Sequence, residues 1–246
     1  MTETISTTNK KIQINTHTKT KTITDSNIKI MTATNPSTIK ITKRDGTQEL
    51  LDINKIHFVV EEACEGLSGV SASQIEIHAN LQFFDGISSK DIQNVLVRSA
   101  NDLTTLENPN YQYAASRLLL YDVRKEAHGQ YEYLPLLKLI MRNIRLGVYD
   151  KGIVEKYNKT EIKKLNTWIR RERDLNFAYA GLRQVVDKYL VQDRSSGQLY
   201  ETPQDMYMMI AATLFADYPK NKRMNYVKRY YDAISQFKIN IPTPVM

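Results

Sequence analysis

The sequence predicts a mainly α-helical protein with small β-hairpins. Three observations lead there. From residue 54 onward, apolar side chains recur at helical spacing through most of the chain. Asp45-Gly46 sits between two short β-like runs. Helix-starting residues, such as Ser71 and Asn108-Pro109, stand at the head of several periodic segments. The 246 residues suffice for one large domain or two small ones. A chain of that length buries roughly 70% or more of the surface its unfolded form exposes. With 41% hydrophobic and 25% charged residues, wholesale disorder is excluded.

Residues 1–38 are rich in Thr, Lys, Asn and Ser and lack aromatic residues, so they are expected to form a disordered tail. The alternation in residues 19–30 also fits a weak strand. Order is expected from Ile39. Ile39–Thr42 and Glu49–Ile53 flank Lys43-Arg44-Asp45-Gly46-Thr47 as a hairpin. Ile56, Val59, Val60, Ala63, Cys64 and Leu67 share one face of a first helix, which Gly66 or Gly69 can end. Ser71 with Gln74 predicts a capping box on a second helix, running toward Phe83. A third helix follows Ser88-Ser89, with Ile92, Val95, Leu96, Ala100 and Leu103 on one face. A fourth is expected with Asn108 as N-cap and Pro109 at its first position, ending near Gly129. Beyond it, Leu134–Leu146, Lys151–Tyr157, Thr160–Asp174, Pro203–Ala216 and Asn221–Phe237 show helical periodicity. Lys188–Val191 and Gln198–Tyr200 around Asp193–Gly197 predict a second hairpin. The Pro-containing run Ile239–Val245 is expected to be extended. The domains are then 1–38 (tail), 39–129 and 130–246.

The net charge is +7, of which the tail supplies three, because Lys10, Lys11, Lys19, Lys21 and Lys29 face only Glu3 and Asp25 there. The rest is unremarkable, and no basic block is dense enough for a nucleic-acid partner. A single cysteine, Cys64, excludes an internal disulfide or cysteine-cluster metal site and fits a reducing compartment. No apolar run approaches a membrane span, and no secretory signal opens the chain. A cytoplasmic protein with neither membrane nor nucleic-acid partner is therefore expected.

No P-loop, GxGxxG or GxSxG occurs, and His17, His57, His78 and His128 lack metal-ligand spacing. Cys64 lies on an apolar helix face and is read as a packing residue. Tyr111, Tyr113 and Tyr121 fit core positions better than a base-stacking role. Glu61-Glu62 and Asp91 read as solvated or capping residues. What remains is a group of cations: Lys43 and Arg44 at the hairpin turn, Lys55 at a helix start and Lys125 near a helix end. On spacing alone they fit either a solvated surface or a phosphate site.

Here the residues become recognisable. Ile41-Thr42-Lys43-Arg44-Asp45-Gly46 with Asn54-Lys55-Ile56 resembles the opening of an ATP-cone domain. Phe83-Phe84-Asp85-Gly86-Ile87-Ser88-Ser89-Lys90-Asp91-Ile92 resembles its middle, and Tyr111–Leu118 its last helix. Residues 173–182 (RDLNFAYAGL), Lys188–Val191, Glu201–Tyr207 and Pro242-Thr243-Pro244-Val245-Met246 are similar to the N-terminal part of the large (α) chain of class I ribonucleotide reductases. The fold implied is an ATP cone, a helical N-terminal region and the start of a ten-stranded α/β barrel that is mostly absent.

The resemblance implies an overall activity site where ATP switches the enzyme on and dATP commonly switches it off. By matched position Lys43, Arg44, Glu49, Lys55, Ile56, Ser89, Ile92 and Lys125 line it, with phosphate roles for Lys43, Lys55 and Lys125. Thr243 matches a contact to the diphosphate of a ribonucleoside diphosphate substrate. ATP and dATP are the effectors expected, with no metal held by this chain. Phe58 and Gln93 depart from the family, which often carries Arg and His there. The family's catalytic cysteines follow the Pro-Thr-Pro segment, so this chain alone is expected to be inactive. The partners implied are, if the subunit is split, a polypeptide carrying the rest of the barrel, and a small radical-generating subunit, in a thioredoxin-dependent enzyme. The alternative is a stand-alone ATP/dATP-sensing module without catalysis.

Overall fold

The computed structural model describes residues 39–240. The expectations for the tail, for the weak strand in residues 19–30 and for Thr243 fall outside the described residues. Strand β1 (Lys40–Thr42) pairs antiparallel with β2 (Gln48–Leu50), Ile41 facing Glu49. Gly46, at φ +83°, makes the turn, while the Asp45 carboxylate accepts the Thr47 N–H (3.0 Å) and hydroxyl (2.6 Å). The second strand stops short of the expected Ile53. Asp52 instead caps α1 (Ile53–Cys64), accepting the Asn54 N–H at 3.0 Å.

Helix α1 buries Ile56, Val60 and Ala63. Ser71 caps α2 (Ala72–Asn80) as expected, but the capping box is opened by a third residue. The Ser71 N–H donates to the Tyr111 hydroxyl (3.0 Å), which donates to Gln74 Oε1 (2.9 Å). Helix α2 also ends before Phe83. Ser88 caps α3 (Ser89–Asp102), accepting the Asp91 N–H at 3.0 Å. Helix α4 (Tyr111–His128) begins two residues later than Asn108-Pro109 predicts. Asn110 precedes it, yet its carboxamide is spent on the Ser68 carbonyl (2.9 Å) and hydroxyl (3.1 Å). Gly129, at φ +71°, ends the helix.

The second half adds α5 (Leu136–Arg145), α6 (Gly152–Lys156), α7 (Lys159–Trp168), α8 (Tyr179–Lys188), α9 (Pro203–Leu214) and α10 (Lys220–Ser235). The one helix expected over Thr160–Asp174 is interrupted. Ile169 is extended, the Arg170 N–H turns to the Tyr231 hydroxyl (2.8 Å), and Arg171–Asn176 forms a 3-10 segment. Helix α8 has no counterpart among the expected elements, and it takes in Lys188 of the expected second hairpin. That hairpin reduces to a tight turn with the single bridge Gln192–Leu199. None of the described helices is long and apolar enough to cross a membrane.

Helix α4 is the spine. It packs on α1 and α3 on one side and on α8 on the other, inside one apolar cluster running from Ile39 to Ile234. A buried polar network lies against that cluster. Asp205 takes a hydrogen bond from Arg171 (2.6 Å) and completes a capping box with Thr202 on α9. Burial pushes its carboxyl up, but Arg171 and His128 outweigh that and hold it below the ordinary carboxylate range. Burial dominates elsewhere, raising both Asp174 and Glu201 to about 7 against weaker hydrogen-bond effects. Glu201 accepts the Val191 N–H (2.9 Å) and the Tyr149 hydroxyl.

A raised carboxyl pKa means that the folded state holds a proton the unfolded chain has released. Its stabilising effect is present below pH 4–5 and is lost as pH rises through about 7. Glu201→Gln is therefore expected to match the parent near pH 5. By pH 8 it should exceed the parent by on the order of 2–3 kcal/mol in urea unfolding. An identical slope of stability against pH in the two proteins would remove Glu201 from this role. Tyr231 is fully buried, and its hydroxyl accepts the Arg170 N–H and donates to Gln204. Tyr231→Phe strands both partners and is expected to cost about 1–3 kcal/mol, read as a lower urea midpoint at unchanged m.

Candidate functional site

The hairpin and α3 are joined by backbone. Thr42 N–H donates to the Ile87 carbonyl (3.0 Å), Gly86 N–H to the Lys40 carbonyl (2.8 Å), and Lys40 N–H to the Asp85 carboxylate (2.8 Å). These bonds set the N-terminus of α3 beside Lys43 and Arg44. Helix α1 and the last turn of α4 complete a cleft of about 470 Å³. Ile41, Leu51, Ile56, Val59, Ile92 and Leu96 form its apolar wall. Lys43, Arg44, Glu49, Lys55, Ser89, Gln93 and Lys125 supply polar groups. All eight residues expected at the nucleotide site line this one cleft.

Their charges are arranged in two groups. Glu49 takes a hydrogen bond from Lys43 (2.7 Å) and stands 3.7 Å from the Lys55 amine, which is 3.9 Å from Asp52. The hydrogen bond and charge of Glu49 hold the Lys43 amine above its ordinary value, and Lys43 in turn holds Glu49 below its own. In the second group Arg44 is bound to the shielded carboxylate of Asp122. Desolvation, then the Arg44 charge, pushes the Lys125 amine below its ordinary value; Asp122 offsets this, but it is already committed to Arg44. Sequence reading missed Asp122, although its i, i+3 spacing from Lys125 on α4 was a usable signal.

An apolar wall beside a cationic rim suits a molecule with an aromatic base and a phosphate chain. The first turn of α3 adds backbone N–H groups and the positive end of its dipole. The two departures from the family offer little here. Phe58 is 61% exposed and is not part of the cleft wall, and Gln93 donates its amide to the Leu118 carbonyl at 2.8 Å. Tyr111, Tyr113 and Tyr121 stay out of the cleft, Tyr111 and Tyr121 being buried. Burial pushes the Cys64 thiol up to about 11, in keeping with a packing residue. Glu61 pairs with His57 (3.1 Å), and Asp91 serves the α3 cap. Thr243 lies outside the described residues.

Residues 39–126 match the ATP cone domain, and residues 175–246 match the ribonucleotide reductase all-alpha domain. The chain is 44% identical over 206 residues to ribonucleoside-diphosphate reductase 1 subunit alpha of Escherichia coli K12, covering 84% of this chain and 27% of that protein. It is 42% identical over 208 residues to the Haemophilus influenzae subunit alpha, covering 85% and 28%. To the subunit alpha of enterobacteria phage T4 it is 37% identical over 210 residues, covering 85% and 27%. The chain thus spans little more than a quarter of the length of these relatives. The chain therefore carries an ATP cone and a ribonucleotide reductase all-alpha segment, and over them it corresponds to the N-terminal region of class I ribonucleoside-diphosphate reductase α subunits.

Proposed function

We propose that the cleft binds ATP and dATP and thereby sets the overall activity of a ribonucleoside-diphosphate reductase. The observation that carries the reading is the convergence of Lys43, Arg44, Glu49, Lys55, Ile56, Ser89, Ile92 and Lys125 on one cleft, inside the segment matching the ATP cone. The base lies on the apolar wall of Ile41, Ile56 and Ile92. The phosphates run along Lys43, Lys55 and Lys125 toward the N-terminus of α3 as point-charge contacts. Thr243 contributes to the substrate diphosphate site. Reduction itself takes place on the barrel, supplied by the remainder of the subunit or by another polypeptide, with a small radical-generating subunit and thioredoxin as reductant. The cytoplasm, with its reducing poise, is the compartment for this chemistry. The all-alpha match beyond the cone favours this reading over a stand-alone sensor.

Calorimetric titration of the chain with ATP, and separately with dATP, tests it. Saturable binding of both nucleotides is expected. Lys43→Ala/Lys55→Ala is expected to weaken it at least about thirtyfold, because two charge-assisted contacts of about 1–2 kcal/mol each are lost. A folded chain that binds neither nucleotide refutes the proposal. Asp122→Asn removes the carboxylate that competes for Arg44 and Lys125. ATP is then expected to bind about three- to tenfold tighter at low ionic strength, with the gain shrinking as salt is raised. Weaker binding by this variant would show instead that Asp122 serves the site by holding Arg44 in place.

A further inference from the structure

A second cleft of about 540 Å³ adjoins the candidate nucleotide cleft, and the two share Lys43, Arg44, Asp45, Ser89 and Lys125. The far wall of this second cleft includes Gln198, which lies outside the cone match and inside the all-alpha match. Gln198 closes the tight turn Asp193–Gln198, whose tip is exposed and held by local bonds. The Asp193 carboxylate accepts the Ser195 N–H (2.8 Å), and the Gly197 N–H donates to the Asp193 carbonyl (2.7 Å). The Gln198 carboxamide reaches α4, donating to the Glu126 carbonyl at 3.0 Å. The Glu126 carboxylate in turn holds Lys90 of α3 at 3.4 Å. A short chain of contacts thus runs from the first turn of α3, through the residue next to Lys125, to this turn.

Behind the turn the connections enter the buried network. Tyr200 N–H donates to the Val191 carbonyl (3.0 Å), the Tyr200 carbonyl accepts from Asn143 (2.9 Å), and Val191 N–H donates to Glu201 (2.9 Å). Four cations, Lys43, Arg44, Lys90 and Lys125, line the second cleft against the carboxylates of Asp45 and Glu126. The end of a phosphate chain passing the shared lysines would meet Lys90 here, in competition with Glu126.

We propose that the turn Asp193–Gln198 senses the terminal phosphates of a nucleoside triphosphate in the cone cleft. Gln198 is the positioning residue that carries occupancy into the helical region. The inference rests on the reading of the cleft given above. Phosphate drawing Lys90 from Glu126 shifts the last turn of α4, and Gln198 passes that shift to Val191 and Tyr200. Coupling of this kind is a free energy between two places and acts through an element both of them bias.

Hydrogen exchange of the full chain, with and without saturating ATP, tests it. ATP is expected to change exchange at the Asp193 and Tyr200 amides at least about threefold, a size that local opening equilibria report. Gln198→Met keeps the size of the side chain but removes its donor. In that variant ATP should bind within about threefold of the parent affinity while the exchange response at Asp193 and Tyr200 disappears. Lys90→Gln, an exposed change that leaves the turn itself untouched, should diminish the same response. No calorimetric binding of ATP by the parent overturns the nucleotide reading, and the sensing turn with it. ATP binding with unaltered exchange in the turn, or with the full response retained in Gln198→Met, overturns the sensing turn alone.

Discussion

Asp205 is a carboxylate with no exposed surface in the middle of the helical half. Such a charge is tolerated only when its partners are fixed around it. Arg171 bonds it at 2.6 Å from the 3-10 segment, Thr202 from the cap of α9, and His128 lies 3.3 Å away at the end of α4. The His128 Nδ1 accepts the Leu134 N–H, which leaves the ring proton on Nε2, close to the carboxylate but without hydrogen-bond geometry to it. Three chain segments far apart in sequence are thus held to one atom group. Tyr133 lies against both sides of this knot, stacking under Arg171 (4.3 Å) and edge-on to His128 (5.2 Å). Removing one partner would strand a buried charge, which costs more than the pair contributes when complete.

The knot ties α4 to the helical half. The helix carries Lys125 at the cleft, Asp122 bound to Arg44 of the cleft, and His128 at the knot, all within its last two turns. A change in the electrostatics of the cleft is therefore applied to a helix whose end is pinned to the helical half. Because the core around it is continuous, α4 moves with its neighbours or not at all. The cone and the helical half share a spine, and the turn at Gln198 gives them a second point of contact.

The cone was legible in the sequence because its signals are local. Asp45-Gly46, the Ser71 and Ser88 caps and the apolar stripes of α1 and α3 each depend on a few neighbouring residues. The errors fall where tertiary contacts override local preference. Asn110 gives its side chain to Ser68 instead of to the cap, and the Ser71–Gln74 box admits the Tyr111 hydroxyl from another helix. Helix α8 has no capping side chain, and its buried stripe of Leu182, Val185 and Val186 is too brief to stand out. The Thr160–Asp174 periodicity is real, but the Tyr231 hydroxyl competes for the Arg170 N–H and breaks the helix there. At the cleft, the family resemblance named eight residues that line it together. Gln198 was not among them, because it acts through a contact across 72 residues; Asp122 had its spacing from Lys125 as a signal, but its bond to Arg44 spans 78 residues.

On the nucleotide reading of the cleft proposed above, Glu49 adds a selectivity that no single lysine has. It lies between Lys43 and Lys55 and already satisfies part of their charge. An incoming anion must therefore do better than a carboxylate that is tethered in place. A monoanion offers no more charge than Glu49 and must also give up translational freedom. A nucleoside triphosphate brings several negative charges on one chain. It can engage Lys125 and the N-terminus of α3 at the same time, without first separating Glu49 from both lysines. Attraction to such a rim grows with the charge on the ligand, while the cost of displacing one carboxylate stays fixed. On that reading the arrangement filters by number of phosphates before the base is met, and the apolar wall of Ile41, Ile56 and Ile92 then selects what is attached to them.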